Sequence, residues 1–235
     1  TLRIGRQEIV CDEERLLGNV DWAQQGRSHD AIRLIWGDSA FAFHGAWAHH
    51  ESDDPYFLKP GPLTFPHDPY GNYYNEDNYQ DLALVRIERA GGAVMLIYDS
   101  YDPLLYPHRL GVAKDRWTPG VYMLVKRGRT EVRAEGYYQF GLWKTYLKGD
   151  PGDAERYDIN AYMFGLRAGH TFDAASLTLW YDYLSGDKNV FAGDYSVFNT
   201  LYGTNHKFYG FADHFLNIPA DTKGLGLQDL ALKSK

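Results

Sequence analysis

The sequence predicts an all-β fold, an antiparallel up-and-down β-barrel whose strands cross a membrane, and three observations predict it. Apolar and polar residues alternate with period two in segments of roughly ten residues, the length of a tilted membrane strand, while helical periodicity is weak throughout. Short and long connections between these segments alternate along the chain. Aromatic residues make up 16% of the sequence, as girdles at two membrane interfaces require.

The clearest strand spans 130–143. Val132, Ala134, Gly136, Tyr138, Phe140 and Leu142 share one face, opposite Glu131, Arg133, Glu135, Tyr137 and Gln139. In 176–184 the set Leu177, Leu179, Tyr181 and Tyr183 opposes Ser176, Thr178, Trp180 and Asp182. In 40–50, Phe41, Phe43, Gly45 and Trp47 oppose Ala42, His44, Ala46 and Ala48. Weaker alternation marks 30–36, 82–89 and 158–168, and further strands are expected at 1–8, 93–101, 121–126 and 227–233. That makes about ten strands in one domain covering residues 1–235, with ends uncertain by ~2–4 residues.

Tight turns are expected at Gly37-Asp38-Ser39, Gly91-Gly92, Arg127-Gly128-Arg129 and 169–173, each with residues suited to a hairpin. Long connections fall at 9–29, 51–79, 102–118, 144–157 and 185–226. A membrane barrel produces this order, with short periplasmic turns and long extracellular loops. A half-buried soluble sheet shows the same strand alternation but has no reason to keep the order of its loops.

The formal net charge of −7 argues against nucleic acid, whose phosphates call for a basic face. Cys11 is the only cysteine, so it has no intrachain disulfide partner and reads as a structural thiol. No run approaches the ~20 apolar residues of a membrane helix, and Thr1-Leu2-Arg3 does not open a secretory leader. His49-His50-Glu51 with Asp53-Asp54 has ligand chemistry, but strand neighbours point to opposite faces. The turn-rich stretch from Asp68 to Asn78 has oxygen ligands for weak calcium binding, but its spacing does not fit an EF-hand loop, and a solvated extracellular loop is the expectation. No metal and no cofactor are expected. Asn205-His206 with Asp213 offers a base and its orienter, yet no Gly-x-Ser-x-Gly elbow accompanies it. Glu131 and Glu135 would lie about 13 Å apart on one strand face, too far for glycoside hydrolysis. The chain is therefore not read as an enzyme.

Two blocks carry a family resemblance. The first is Gly5-Arg6-Gln7-Glu8, Arg15-Leu16 with Gly18, Asp21-Trp22, and Arg27 with Asp30-Ala31. The second is Thr204-Asn205-His206-Lys207, Tyr209-Gly210-Phe211-Ala212-Asp213, Gly224-Leu225 and Gln228-Asp229. In this order they resemble the bacterial alginate export family of outer-membrane porins. His29 stands where that family's pattern has an aromatic, and Cys11 where a Tyr or Gly is usual. The resemblance covers the middle of the family's domain, so the chain reads as a fragment with strands missing on both flanks.

The resemblance implies a monomeric barrel in the bacterial outer membrane, surrounded by lipid and serving periplasmic export machinery. It would pass an anionic polysaccharide or similar solute through a charged lumen. A carboxylated polymer crossing a low-dielectric wall needs repeated, easily left positive sites. Arg33, Arg86, Arg133 and Arg167 are the candidates here, interleaved with Glu88, Glu131, Glu135 and Asp182, which would pair with them and brace the wall. Arg6, Glu8, Arg15, Asp21 and Asp30 could fold the first long loop into the barrel mouth, or pin it through ion pairs of their own. Three other readings stay open: a carbohydrate-binding β-protein with its aromatics in one cleft, a general small-solute porin, and a barrel enzyme using His206.

Overall fold

In a computed structural model, residues 1–24, 26–50, 79–101, 112–146, 154–189 and 192–235 are described. The chain forms one ten-stranded antiparallel sheet in which each strand pairs with its sequence neighbour, in the order β1 to β10. The strands are β1 Leu2–Gln7, β2 His29–Gly37, β3 Phe41–His49, β4 Asp81–Arg89 and β5 Gly92–Tyr101. They continue as β6 Val112–Arg127, β7 Thr130–Tyr146, β8 Ala154–Thr171, β9 Ser176–Leu184 and β10 Leu227–Ser234. The expected fold class is what the chain adopts, as an open sheet consistent with an incomplete barrel. β1 and β10 are its two edges.

Strands β6, β7 and β8 are longer than alternation predicts. β6 begins at Val112, so the second half of the connection expected at 102–118 is strand; residues 102–111 lie outside the described residues. Pro119 hid it, because a proline reads as a strand breaker. Here Pro119 faces Leu96 on β5, and the ladder to β7 skips it, running from Trp117–Phe140 to Gly120–Tyr137, so its missing N–H costs no hydrogen bond. Likewise β7 and β8 are paired out to Tyr146–Ala154, which shortens the loop expected at 144–157. Charged residues such as Lys144 and Arg156 had blurred the alternation there. The 51–79 loop, with its calcium question, lies almost wholly outside the described residues.

Local chemistry sets the turns. Ala90 and Gly91 both have positive φ, the primed turn that matches the twist of paired strands. The Asp38 carboxylate accepts from the Ala40 and Phe41 N–H groups and closes the β2–β3 turn. At Gly141 (φ 136°) a Cβ would fall 2.0 Å from the Asp115 carbonyl oxygen, so only glycine lets β7 approach β6 here.

One face of the sheet is apolar and bare. Ile4, Leu34, Val85, Val94, Val121, Leu166, Leu179 and Leu230 are all exposed, and every strand contributes to this face. The other face is covered by two connections, the first loop (8–28) and the last loop (185–226). A core of Ile9, Leu16, Leu17, Leu84, Ile97, Met163, Phe198 and Tyr202 joins both loops to the wall. Within ten residues the last loop reaches β7, β2 and β9: Asn199 bonds Gln139, Tyr202 meets the His29 ring edge-on and Phe208 meets Trp180. In a flat sheet β2 and β9 would stand roughly 34 Å apart at ~4.8 Å per strand, so the sheet curls around these loops.

Replacing Gly141 by Ala is expected to force β6 and β7 apart, costing about 1–3 kcal/mol for the strained backbone, seen as a lower unfolding midpoint in detergent micelles.

Candidate functional site: the loop-filled wall

Four consecutive residues of the first loop, Asp12-Glu13-Glu14-Arg15, each engage a different part of the wall or the last loop. Asp12 pairs with Arg86 on β4 at 2.6 Å, and Glu13 with Arg133 on β7 at 2.9 Å. Glu14 accepts from Thr204 Oγ1 at 2.6 Å and pairs with Lys207. Arg15 reaches Glu135 on β7 and Asp182 on β9. Asp12 and Glu14 have φ of 52° and 72°, a region non-glycine residues rarely enter. That backbone fans successive side chains in different directions, and the four contacts over-determine it.

Arg15 is fully buried. Its Nε donates to Glu135 Oε1 at 2.9 Å, while Nη1 and Nη2 donate to the two oxygens of Asp182 at 3.0 and 2.9 Å. Nη1 also donates to the Tyr209 hydroxyl, and the guanidinium lies 3.7 Å from the Phe208 ring centroid. The carboxylates have further donors: Trp180 Nε1 to Asp182 at 2.8 Å and Tyr137 to Glu135 at 3.2 Å. Gly165 stands between Glu135 and Asp182 in the ladder, and a Cβ there would lie 2.6 Å from Asp182 Oδ1 and 3.2 Å from Arg15 Nη2. The wall thus leaves a slot that a guanidinium from elsewhere fills.

The two loops also bind each other. Gly18 N–H donates to the Tyr202 carbonyl and Tyr202 N–H to that of Leu16, both at 2.9 Å. Arg27 donates to the carbonyls of Tyr202 and Gly203. A Cβ on Gly203 would strike the Arg15 carbonyl oxygen, and one on Gly18 would strike Thr204 Oγ1, both at 2.2 Å. Asn205 donates to Thr200 and the Leu216 carbonyl, which holds the last loop to itself.

The eight residues expected on the polar strand faces all lie on the loop-covered side. Arg33, Arg86, Glu135, Arg167 and Asp182 are buried there, and Glu131 and Arg133 are half-buried. Arg33 donates to the Glu8 carbonyl, Arg86 pairs with Glu88, and Arg133 with Glu131 at 3.2 Å. The first loop's own charges behave otherwise than expected. Arg6 and Asp30 form an exposed pair at 2.8 Å across β1 and β2, the Glu8 carboxylate accepts from Asn19, and Asp21 joins no ion pair among the described residues. Of the expected set, Arg15 reaches distant strands, and Asp12, Glu13 and Glu14 beside it complete the pinning of the loop. Gln7 donates to the Ala31 carbonyl, and Gly210 adopts positive φ.

Asp12, Glu13 and Glu14 were missed from sequence, although four adjacent charges in a loop otherwise apolar at Ile9, Leu16 and Leu17 were a usable signal. A buried triad was missed too. Arg116 on β6 grips Asp99 on β5 at 3.0 and 2.8 Å, with Lys114 3.0 Å from the same carboxylate. Alternation hides it because Lys114, Asp115 and Arg116 followed by Pro119 mimic a loop at the start of β6.

His206 Nδ1 lies 2.5 Å from Asp213, as a base and its orienter would, but the ring is stacked on Trp22 at 4.2 Å and bonds no Ser, Thr or Cys side chain among the described residues. The His206–Asp213 pair stays within the last loop, and the His206–Trp22 stack joins the two loops. His29 uses its ring as the aromatic it replaces, stacked 5.7 Å from Tyr79. His49 bonds Asp81 at 2.9 Å. Among the described residues no three His, Cys, Asp or Glu side chains are placed to hold a metal ion.

Below the Arg15 contact, toward the short turns, a recess of about 530 Å³ opens between wall and loops. Arg129, Arg133, Arg167, Lys207, Lys233 and Lys235 line it against only Glu13 and Glu131 among carboxylates, so it is electropositive in a chain of net negative charge.

Residues 1–49 match the family model described as alginate export. No curated protein matches the chain significantly. The matched stretch holds β1, the first loop with its Asp12–Arg15 quartet, β2 and β3. The alginate export resemblance therefore falls on the loop that enters the hollow of the sheet. The second block quoted above lies beyond the match, and the structure places it against that loop through Thr204 and Lys207.

Burial pushes the Cys11 thiol up to about 12, with Asp12 adding to it. The thiolate is the reactive form, so Cys11 is expected to resist maleimide at pH 8 in the folded protein and to react once it is unfolded, read by mass spectrometry. Burial by itself lowers the Arg15 guanidinium pKa, but Tyr209, Glu135 and Asp182 outweigh it and hold Arg15 above its ordinary value. Arg15→Met would strand two buried carboxylates, a loss of about 3–5 kcal/mol, measurable as a shift in the urea unfolding midpoint.

Proposed function

We propose that this chain is part of an outer-membrane β-barrel of the alginate export type, a transporter and not an enzyme, that passes an anionic polysaccharide. The observation that carries the reading is the bare apolar face. A soluble protein buries such a surface or uses it for a partner, whereas a barrel wall turns it to lipid. Its aromatics support this: Trp36, Phe41 and Phe172 stand near the short turns, and Trp47, Trp117, Tyr138 and Tyr162 further along the strands, with apolar residues such as Val121 and Leu179 between. Two belts fit a membrane with two interfaces; a sugar-binding cleft would gather its rings in one place.

The open edges of β1 and β10 call for further strands to close the wall, since an unpaired edge cannot face lipid. In this reading the residues 1–235 form one domain completed by flanking strands. The short turns face the periplasm, so the electropositive recess is the first part of the lumen that an exported polymer meets. Arg33, Arg86, Glu88, Glu131, Arg133, Glu135, Arg167 and Asp182 belong to the wall of that path. Most of these charges pair within the protein, and the recess supplies the excess positive charge that a polyuronate needs.

Single-channel recording in a planar bilayer tests the proposal. Alginate added on the short-turn side is expected to block the current at concentrations where a neutral glycan of equal length does not. Equal block by both polymers, or by neither, would remove the substrate class; absence of any channel would remove the barrel.

A further inference from the structure

Arg167 on β8 is a buried cation without a counter-ion. It lines the recess, and its Nε and Nη2 find no acceptor among the described residues. Aromatic rings hold it instead. Its Cζ lies 3.4 Å from the Trp180 ring centroid and 4.9 Å from that of Phe208, and Lys233 Nζ lies 3.6 Å over the same Trp180 ring. Cation–π contact keeps a guanidinium in place without using its hydrogen-bond donors, so Nε and Nη2 stay unspent beneath the surface of the recess, and a turn of the side chain offers them to a ligand.

Two carboxylates nevertheless stand close by. The ladder partners of Arg167 are Arg133 and Trp180, and Glu135 and Asp182 come two residues further along those same strands, on the same face. Such diagonal neighbours lie roughly 7–8 Å apart, within reach of an arginine. Arg167 does not take them because Arg15, arriving from the first loop, already holds both. Gly165, the residue two before Arg167 on its own strand, leaves the slot in which this happens.

We infer that Arg15 and Arg167 compete for Glu135 and Asp182, and that insertion of the first loop is what arms Arg167 as a carboxylate-binding site. With the loop inserted, Arg15 occupies both acids and Arg167 keeps its Nε and Nη2 donors unspent beside the recess. With the loop withdrawn, Arg167 turns onto Glu135 and Asp182 and the site is lost. A ligand carboxylate and the inserted loop therefore stabilise one another, and by linkage the effect runs equally both ways. The inference rests on the reading that an anionic polymer passes here, and it adds that the polymer favours the filled state of the channel.

The test is binding of a uronate trisaccharide to the protein in detergent micelles by titration calorimetry, with its neutral methyl ester and inorganic sulfate as comparison probes. Arg167→Gln should weaken trisaccharide binding about tenfold or more, the usual worth of a charge-assisted hydrogen bond. Arg15→Gln should weaken it by a similar factor although Arg15 does not line the recess, and Arg15→Lys by less. The triple variant Arg15→Gln/Glu135→Gln/Asp182→Asn should recover near-normal binding, because Arg167 then has no carboxylate to fall onto. It also strands no buried carboxylate, so it serves even where the single variant fails to fold. Normal binding in Arg15→Gln, or binding in the triple variant as weak as in Arg167→Gln, overturns the coupling alone. If the trisaccharide and its ester bind wild type equally, or Arg167→Gln changes nothing, the anionic-substrate reading fails as well.

Discussion

A charge taken out of water must be met by an opposite charge and by hydrogen bonds, and in this protein that constraint decides how the hollow of the sheet is organised. Arg15 is fully buried, as is Asp182, and Glu135 is nearly so. None could stand alone at that depth without a cost of several kcal/mol. Their meeting joins β7, β9 and the first loop at one point. The loop's position, the packing of the last loop behind it and the shape of the recess below all follow from that contact. Glycines allow the close approaches it needs: Gly165 clears the slot in the wall, and Gly18 and Gly203 let the loop backbones touch.

The same contact divides the charged face into parts with different roles. Arg86 and Arg133 pair with Asp12 and Glu13, and serve to seat the first loop. Arg116 and Lys114 both close on Asp99 within the wall. Arg167 is held by rings rather than acids, and it lines the recess. Counting arginines on a strand face would treat these as equivalent. Their partners show that most of them brace the wall or seat the loops.

Much of this was legible in the sequence. Side chains on a strand alternate strictly, so a run such as Val132 to Leu142 reveals both faces without knowledge of neighbours. Gly-containing turns mark hairpin ends because few other residues tolerate the backbone they need. These local rules placed all ten strands and assigned the apolar side chains to the face that the structure leaves bare. They failed at 112–118, where Pro119 and the charges Lys114, Asp115 and Arg116 mimic a loop. A strand with two polar interactions to make inside and one ring outside carries too little apolar signal.

What the sequence by itself determined is the period-two pattern and the order of short and long connections, since both depend only on neighbours along the chain. What only the tertiary structure decided is where the long connections go. That Arg15 would find Glu135 and Asp182, 120 and 167 residues away, depends on the curl of the sheet, which brings distant strands around one loop. Whether an arginine on the wall is neutralised or left free depends on that geometry and has no trace in the alternation of side chains.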